Sequence, residues 1–449
     1  MPADVVVFVP GICGSVLVDK GQTIWPGKPL QSVFDAYPDA LVEILSKSET
    51  ITAPDVLRSV PLTILGVTVH HFPAYGKALN ALTQMGYDEG DGSLIPFPYD
   101  WRRDVRKSAK LLHDRLSEAD LNGRRVAIVA HSMGGLVARY ALEKIGIPPG
   151  IRLELLALLA TPHIGAPVAI QNLLGQRPEI FLSAKQCKVA LRNPAFPSAY
   201  QLLPRGNTPT LLTRDPAIGF SILDPFGPAI RAQFGLVDGS VKAAQELAAD
   251  LPYMGPGFRP PCPYLAIAGN AQKTVVANYN LAEGVTPVDE DNSGDGTVPL
   301  WSAAPPGLPV RYVAASHLDV CADNDTVAML RAVLRPDLPG GRLLSADTAP
   351  PTFSLQPLKE SVSPGETFTV AIVATAPARS IHLEVRLTSV FDDNRADPPH
   401  NIAVDYEGGP IRSLPLEFQA PGDRAALLFQ LLDQAGQPKG EPRTVLVVT

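Results

Sequence analysis

The sequence predicts a mixed α/β protein with a mainly parallel sheet, followed by a smaller all-β module. Three features of the chain lead to this fold class. Short apolar runs alternate with segments of helical spacing from residue 4 to about residue 335, which is typical of a parallel sheet with helices on its faces. The runs are apolar throughout, as expected for strands that are buried on both faces. After about residue 341 the pattern changes to short strands separated by Pro, Gly and Asp, which indicates an all-β fold.

Each predicted element of the α/β region follows from its periodicity. β-Branched and aliphatic runs bounded by Gly, Pro or charged residues predict strands at residues 5–9, 66–70, 125–130, 153–160, 264–268 and 310–314. Apolar residues at helical spacing predict helices at residues 74–85, 100–122, 134–145 and 325–334.

Two stretches divide the chain further. Residues from about 166 to 261 are long for a single crossover connection and rich in proline, so we expect an inserted cap. Its apolar pairs either line an acyl groove or pack within the cap itself. Beyond residue 350, short alternating strands predict an immunoglobulin-like β-sandwich, with strands at residues 353–355, 367–374, 382–390, 402–406, 414–419, 425–432 and 443–448. We therefore predict an α/β domain over residues 1–345 and a β-module over residues 350–449.

The composition excludes several classes of protein. The 449 residues carry 38 Lys+Arg against 45 Asp+Glu, a net charge of −7, so we expect no nucleic-acid partner. No run approaches the roughly 18 apolar residues that a spanning helix needs. The N-terminus lacks a basic region and a small-residue cleavage site, so we expect a cytoplasmic protein. No metal or other cofactor is expected, because no metal-ligand spacing surrounds the cysteines, which are Cys13, Cys187, Cys262 and Cys321.

The strongest local motif is Ala130-His-Ser-Met-Gly134, between a predicted strand and a predicted helix. A sharp turn there, with small residues on either side of a serine, exposes the serine hydroxyl as a nucleophile. The alternative is that Ser132 only caps the helix, a common use of serine at such a boundary. The apolar strand and the glycine pair at 134 and 135 favour the nucleophile, although Ala130 stands where a glycine is usual.

A serine hydroxyl needs a base, which follows the serine in the chain in this type of fold. Among the eight histidines, only His163 and His317 lie after Ser132 and before the β-module. His163 directly follows the strand after the serine, with no acid in a suitable loop before it. His317 follows the last predicted strand of the α/β domain, so we predict it as the base.

The acid that orients the base is expected between the cap and His317. Asp295 lies in the tight turn Gly294-Asp295-Gly296, which would project its carboxylate. Asp289 and Asp291 are competitors in the same stretch. We predict Asp295 as the acid.

An oxyanion needs two donors, usually backbone N–H groups. The residue after the nucleophile, Met133, supplies one. The second is expected from the glycine-rich segment Val9-Pro-Gly-Ile-Cys-Gly-Ser15, through the N–H of Ile12. Two rival interpretations of this segment are a phosphate loop, which would need a Lys-Ser/Thr ending, and a nucleophilic Cys13, for which no base is evident.

Several blocks together resemble the lecithin:cholesterol acyltransferase family, which includes lysosomal phospholipase and phospholipid:diacylglycerol acyltransferase and has an α/β-hydrolase fold. The blocks are Val9-Pro-Gly-Ile-Cys-Gly-Ser15, Gly86-Tyr-Asp-Glu-Gly90, Pro96-Phe-Pro-Tyr-Asp-Trp-Arg102, Ala130-His-Ser-Met-Gly134, Ala160-Thr-Pro-His-Ile-Gly-Ala-Pro167, Gly294-Asp-Gly-Thr-Val298 and Ser316-His-Leu318. The Pro-Tyr-Asp-Trp-Arg block is the most discriminating. The resemblance covers about residues 4–335.

The resemblance implies a role for each candidate site residue. Ser132, Asp295 and His317 fall on the family's catalytic serine, aspartate and histidine, and Ile12 and Met133 fall on its oxyanion amides. It implies acyl transfer from a lipid ester, through an acyl-serine, to an alcohol or to water.

The chain departs from the family in two places. Mammalian members have a cysteine-bridged membrane-binding loop after the first strand, where this chain has Trp25-Pro-Gly27 and no cysteine pair. The β-module lies outside the family core.

Three functional hypotheses follow. The first is a serine acyl hydrolase or O-acyltransferase that acts on lipid esters, with peripheral membrane contact. The second is a carboxylesterase or lipase that acts on non-phospholipid esters. The third, of another class, is an inactive hydrolase scaffold whose β-module binds an unknown partner.

Overall fold

The computed structural model describes residues 2–27, 37–64, 67–179, 182–205, 208–215, 219–251, 254–336, 351–391 and 395–448. The predicted boundary between the two domains, at residues 345–350, lies within residues 337–350, which are outside the described residues. The first residue of the strand predicted at 66–70 also lies outside them.

Each of the described α-helices has residues buried in the interior. In chain order the described α-helices are α1 (Asp39–Lys47), α2 (Gly76–Gln84), α3 (Val105–Leu116), α4 (Met133–Tyr140), α5 (Val168–Leu174), α6 (Ala184–Leu191), α7 (Pro197–Gln201), α8 (Pro228–Phe234), α9 (Asp238–Asp250), α10 (Leu300–Ala303) and α11 (Asn324–Leu334). The helix predicted at 100–122 begins only at Val105, because the Asp104 side chain caps it by accepting from the N–H of Arg106 at 2.9 Å. None of the described helices is long and apolar enough to cross a membrane.

Strands form the rest of the regular structure. They are β1 (Val5–Val9), β2 (Leu17–Asp19), β3 (Gln22–Trp25), β4 (Ser59–Ile64), β5 (Val67–Pro73), β6 (Leu94–Pro96), β7 (Arg125–His131), β8 (Arg152–Leu159), β9 (Leu211–Asp215), β10 (Gly219–Ile222), β11 (Tyr264–Gly269), β12 (Gln272–Leu281), β13 (Gly284–Gly294), β14 (Val310–Val313), β15 (Phe353–Pro357), β16 (Ser361–Val362), β17 (Thr367–Val390), β18 (His400–Gln419), β19 (Ala426–Asp433) and β20 (Pro438–Val447).

The central sheet confirms the predicted α/β fold class. Its order is β14-β11-β8-β7-β1-β6, and all of these strand pairs are parallel. Along β1, Val5, Val7 and Val9 belong to the apolar core on one face, while Val6 and Phe8 belong to the core on the other. Burial on both faces explains why the strand is apolar without alternation.

One predicted strand of the α/β region takes a different place. The alternation of strands and helices predicts that residues 66–70 belong to the central sheet. In the structure β5 instead pairs antiparallel with β4 in a separate two-stranded sheet. The edge strand of the central sheet is instead β6, which pairs with β1. Three residues, the last of which is a proline, are too short a run to be recognised by periodicity.

The segment predicted as a cap contains α5 to α9 and the strands β9 and β10. It is joined to a later hairpin, because β9 pairs with β12 in a sheet of order β10-β9-β12-β13. The sheet therefore extends past residue 261. Asp295 directly follows β13, so this hairpin leads into the predicted acid.

The C-terminal β-module, residues 351–448, is strand-rich as predicted. Two pairs of predicted strands are continuous: β17 runs through both 367–374 and 382–390, and β18 through both 402–406 and 414–419. The interruption expected between them is a shift of register near Ala378 rather than a turn. The strands of the module form one hydrogen-bonded sheet. This sheet folds over on itself, because the rings of Phe368 on β17 and Phe429 on β19 meet edge-on at 6.1 Å although these two strand segments do not pair with each other.

Candidate active site

The backbone between β7 and α4 makes a sharp turn at Ser132. This residue has φ 53° and ψ −128°, a region that L-residues rarely occupy. The two glycines that follow permit the turn: a Cβ on Gly134 would lie 2.4 Å from the Pro10 carbonyl oxygen, and one on Gly135 would lie 2.0 Å from Thr161 Oγ1. The strain and the close approach are those of a nucleophile elbow.

Three side chains from separate loops meet at this turn. His317 Nε2 lies 2.9 Å from Ser132 Oγ, and His317 Nδ1 lies 2.8 Å from Asp295 Oδ2. Each residue follows a strand: Ser132 follows β7, Asp295 follows β13 and His317 comes shortly after β14. The structure thus brings together the serine, the histidine and the aspartate that the sequence predicted.

Asp295 is held more firmly than its competitors. Its side chain is buried, and its other oxygen, Oδ1, accepts from the N–H of Thr297 at 2.9 Å and of Val298 at 2.7 Å. Asp289 and Asp291 are exposed on β13. An acceptor-only carboxylate that faces Nδ1 requires this nitrogen to carry the proton, which leaves Nε2 as the acceptor toward Ser132.

Two backbone amides near the serine are the predicted oxyanion donors, those of Ile12 and Met133. Among the described residues, no oxygen accepts a hydrogen bond from the N–H of Ile12 or from that of Met133. Met133 is the first residue of α4, so its amide lies at the positive end of a helix. Ile12 and Ser132 line the same pocket. Both predicted oxyanion donors are therefore placed beside the elbow.

A second hydrogen-bonded chain runs from the Ile12 loop to His317. The N–H of Gly11 donates to Tyr75 Oη at 2.9 Å, and Tyr75 Oη lies 2.7 Å from His131 Nδ1. His131 Nε2 lies 2.8 Å from the carbonyl oxygen of His317. Because a carbonyl can only accept, Nε2 is the protonated nitrogen and Nδ1 accepts from the Tyr75 hydroxyl. Burial, followed by the nearby His317 side chain, holds the pKa of His131 well below its usual value, so this imidazole is neutral.

The sequence does not predict this hydrogen-bonded chain. His131 is recognisable only as part of the Ala130–Gly134 motif, and no pattern points to Tyr75. The tyrosine lies just before α2, in a segment with no recognisable motif. Only the folded chain brings it against Gly11 and His131.

The rival candidates occupy other environments. His163 is buried and makes no hydrogen bond to Ser132; its Nδ1 lies 3.3 Å from Arg139 Nη1. Burial, followed by the charges of Arg139 and Arg205, holds the pKa of His163 well below its usual value. Burial raises the pKa of the Cys13 thiol well above its usual value, which opposes its use as a nucleophile.

The Pro-Tyr-Asp-Trp-Arg block donates hydrogen bonds to the backbone of the Ile12 loop. Tyr99 Oη donates to the Pro10 carbonyl at 2.8 Å, and Trp101 Nε1 donates to the Ser15 carbonyl at 3.1 Å. Arg102 is fully buried and pairs with Asp100 at 2.6 Å. Trp101 also lines the pocket beside Ser132. Most of this block therefore fixes the backbone that presents the Ile12 amide.

Ser132 and His317 open into a pocket of about 180 Å³. Much of its wall is apolar and comes from the predicted cap, through Val168, Ala169, Leu182, Leu191, Ala199 and Leu202. Trp25, from the segment that replaces the mammalian membrane loop, is not part of an exposed surface: it is buried, and its indole donates to the Cys13 carbonyl at 2.9 Å.

The β-module also reaches this pocket. Residues 357–361, which connect β15 to β16 and are called the module loop below, line it together with Ser132 and His317. Nothing in the sequence predicted this contribution, because the module carries no motif that points to a site.

Comparisons with known proteins bear on the α/β domain. Residues 62–215 match the model of the lecithin:cholesterol acyltransferase family. This stretch includes Ser132 and Met133, whereas Ile12, Asp295 and His317 lie outside it. No curated protein matches the chain.

Matches among solved structures are short and distant. One is a sporulation control protein from Bacillus subtilis, with 17% identity over 22% of this chain and 50% of that chain and a TM-score of 0.17. Another is a chitin-binding domain from Burkholderia pseudomallei, with 14% identity over 20% of this chain and 56% of that chain and a TM-score of 0.16. The chain thus spans about half the length of each of these two proteins.

The family match, the parallel sheet and the motif blocks agree with one another. The match lies within the region over which the motifs resemble the family, and it includes the elbow and the Pro-Tyr-Asp-Trp-Arg block. The resemblance predicted from the sequence is confirmed over residues 62–215, which are similar to the lecithin:cholesterol acyltransferase family, and the fold is that of an α/β-hydrolase with an additional C-terminal β-module.

Proposed function

We propose that the protein is a serine-dependent acyl hydrolase or O-acyltransferase that acts on lipid esters through an acyl-serine intermediate. The observation that carries the proposal is the pair of hydrogen bonds that connects Ser132, His317 and Asp295, at 2.9 and 2.8 Å. A nucleophile bonded to a base, which is bonded in turn to an orienting acid, is the arrangement that activates a serine hydroxyl.

In the acylation half-reaction, Ser132 Oγ attacks the carbonyl carbon of the ester while His317 Nε2 accepts the serine proton. Asp295 stabilises the resulting imidazolium through its bond to Nδ1. The negative charge that develops on the carbonyl oxygen is stabilised by the N–H groups of Ile12 and Met133. When the tetrahedral intermediate collapses, the ester C–O bond breaks, and the departing alkoxide takes the proton from Nε2.

In the second half-reaction, the same base activates the acceptor. Water or an alcohol gives a proton to His317 Nε2 and attacks the acyl-serine, and the second tetrahedral intermediate uses the same amides. Its collapse returns the proton to Ser132 Oγ and releases a carboxylic acid or a new ester. Hydrolysis and transfer therefore differ only in which acceptor reaches the acyl-serine.

The pocket favours an ester with an apolar acyl group. Its wall beside Ser132 is built largely from aliphatic side chains of the cap, which would bury a hydrocarbon chain. The family match supports a lipid substrate in the same direction.

The test is product analysis by mass spectrometry. Wild type, Ser132→Ala and a matched control, Ser198→Ala, are incubated with mixed phospholipids, with p-nitrophenyl esters of graded chain length and with an alcohol acceptor. Ser198 is a buried serine outside the pocket whose Oγ makes no hydrogen bond to the described residues. We expect Ser132→Ala to lower turnover by about a thousandfold or more, and Ser198→Ala to change it by less than about twofold.

The products decide between the hypotheses. Serine-dependent formation of lysophospholipid and acylated alcohol supports an acyltransferase, and lysophospholipid with free fatty acid supports a hydrolase. Cleavage of short esters alone would assign the protein as a carboxylesterase. If no ester is turned over in a Ser132-dependent manner, the enzymatic proposal is wrong and the chain is an inactive scaffold.

A further inference from the structure

The β-module contacts the two segments that carry the base and the acid, and the module loop makes the contact to the segment of the acid. The Leu358 carbonyl oxygen would lie 3.2 Å from a Cβ on Gly296, the residue after Asp295. Elsewhere in the module, Arg443 Nη2 lies 3.3 Å from Asp319 Oδ1, and the other oxygen of this carboxylate accepts from Ser316 Oγ at 2.7 Å. Ser316 precedes the catalytic histidine, so the module packs against the pocket rather than apart from it.

Apolar contacts strengthen the same interface. Ala426 and Leu446 of the module are buried in the apolar cluster that also contains Val5, Val7 and Val9 of the central sheet. The two parts of the chain therefore share a core, and this packing fixes where the module loop lies.

The charged residues that line the pocket come from two places. Arg177 and Glu179 belong to the cap, and Lys359 and Glu360 belong to the module loop. They lie within electrostatic reach of one another. Burial, followed by the charge of Arg177, lowers the pKa of Lys359, and Glu179 is among the charges that raise the pKa of Glu360.

These four side chains differ in whether they form hydrogen bonds or ion pairs within the protein. Lys359 is paired with Glu366, and Glu179 accepts from Asn172 Nδ2 at 3.1 Å. Within the described residues, the guanidinium of Arg177 forms no ion pair and the carboxyl of Glu360 accepts no hydrogen bond. Burial and the nearby Asp319 raise the pKa of Glu360 to about 8, so this carboxyl is largely protonated at neutral pH.

We propose that the module loop is a specificity-determining wall of the active site, in which Lys359 and Glu360, together with Arg177, bind the alcohol portion of esters whose alcohol carries hydroxyl groups. This inference rests on the proposed esterase chemistry at Ser132. The apolar wall suits the acyl chain, so the polar cluster is left for the other side of the ester bond. A protonated carboxyl donates and accepts with a hydroxyl group, while the cations donate to its oxygen.

The experiment compares two esters with the same acyl chain. One is p-nitrophenyl octanoate, whose alcohol carries no hydroxyl group, and the other is 1-monooctanoylglycerol, whose alcohol carries two. The variants are Glu360→Ala and Lys359→Ala. Their matched controls are Glu417→Ala, an exposed glutamate of β18, and Lys439→Ala, a lysine of β20 paired with Asp433.

We expect Glu360→Ala and Lys359→Ala to lower kcat/KM for 1-monooctanoylglycerol by about tenfold, because each removes a hydrogen-bonding group from a desolvated site. For p-nitrophenyl octanoate the change should stay below about twofold. The controls should leave both values unchanged. Glu360→Gln keeps a neutral group that donates and accepts, so it should retain most of the activity on the glycerol ester and serves as the variant that folds if the alanine variant does not.

The other outcomes contradict the inference in distinct ways. An equal loss on both esters means that the loop only supports the catalytic residues. No loss on either ester means that Lys359 and Glu360 do not contact the substrate. If wild type hydrolyses neither ester in a Ser132-dependent manner, the proposed function itself fails, and the inference fails with it.

Discussion

The pocket has two sides that are built in different ways. On the α/β side, Ser132, Asp295 and His317 each follow a strand and meet through hydrogen bonds of 2.8 and 2.9 Å. On the module side, residues 357–361 reach the same pocket from an added β-module. The first side contains the groups that we propose react with the ester, and the second contains charged groups that the proposed reaction does not need.

This difference separates rate from selectivity. In the proposed reaction, a change on the α/β side acts on the transition state of every ester, because all would share the same acyl-transfer steps. A change on the module side acts on esters according to the alcohol they carry. Substitutions on the two sides should therefore give different patterns of kcat and KM.

The largest effect is expected on the α/β side, from Asp295→Asn. The asparagine oxygen still accepts from the N–H groups of Thr297 and Val298, which directs its amide NH₂ toward His317 Nδ1. Nδ1 then has to accept, the proton moves to Nε2, and His317 can no longer take the proton of Ser132. We expect kcat for p-nitrophenyl octanoate to fall by about a thousandfold or more, measured by release of nitrophenolate.

Asp291→Asn is the matched control for this variant, since Asp291 is an exposed competitor on β13. It should leave kcat within about twofold of wild type. A large loss in Asp291→Asn together with an active Asp295→Asn would show that the acid has been assigned to the wrong residue.

The two sides also differ in what the sequence could predict. Ser132 is recognisable because strand, turn and helix are adjacent in the chain and the turn requires small neighbours. Asp295 and His317 follow from chain order once the serine is found. Tyr75 and the module loop could not be predicted, because their positions depend on packing between segments that are distant in the chain.

The same distinction, between local sequence patterns and contacts between distant segments, explains which strands could be predicted. Strands such as Val5–Val9 are buried on both faces and therefore have a clear apolar pattern. Residues 66–70 have a similar local pattern but pair with β4 outside the central sheet, and only tertiary contacts decide between the two. In the module, the continuity of β17 through residues 374–382 depends on its pairing with β18, which local turn residues do not reveal.

An intermediate effect is expected from Tyr75→Phe, which tests whether the α/β side extends beyond the three reacting residues. The variant removes the hydroxyl that accepts from Gly11 N–H and donates to His131 Nδ1. Both the loop of Ile12 and the carbonyl of His317 lose part of their support. We expect kcat to fall by about tenfold on both octanoate esters, with little change in KM, because Tyr75 acts as a positioning residue.

A control variant, Tyr87→Phe, separates a loss of positioning from a loss of stability. Tyr87→Phe removes another buried hydroxyl of the α/β domain, which lies 3.1 Å from the Leu334 carbonyl oxygen. Each variant should lower the free energy of unfolding by about 1–3 kcal/mol in a denaturant titration, but only Tyr75→Phe should lower kcat. Equal losses of kcat in both variants would assign Tyr75 a purely structural role.

The smallest effect is expected on the module side, in the pH dependence of stability. The pKa of Glu360 is about 8 in the folded protein, raised from an ordinary value of 4.5, chiefly by burial. Between these values the folded chain keeps a proton that the unfolded chain has lost, so stability falls as the pH rises from about 4.5 towards about 8. Glu360→Gln carries no titrating group and avoids this loss. The nearby charges of Asp319, Arg443 and Glu179 are common to both proteins.

Thermal unfolding of wild type and Glu360→Gln at about pH 5 and about pH 9 measures this difference. We expect the variant to gain roughly 3 °C in Tm relative to wild type at the higher pH, a modest shift because the side chain is partly exposed to the pocket. Glu417→Gln, on an exposed position, should follow wild type at both pH values. Parallel curves for wild type and Glu360→Gln would mean that Glu360 is already ionised at neutral pH. The polar cluster would then bind the alcohol through a carboxylate, which only accepts hydrogen bonds, and Glu360→Gln should lose activity on the glycerol ester instead of retaining it.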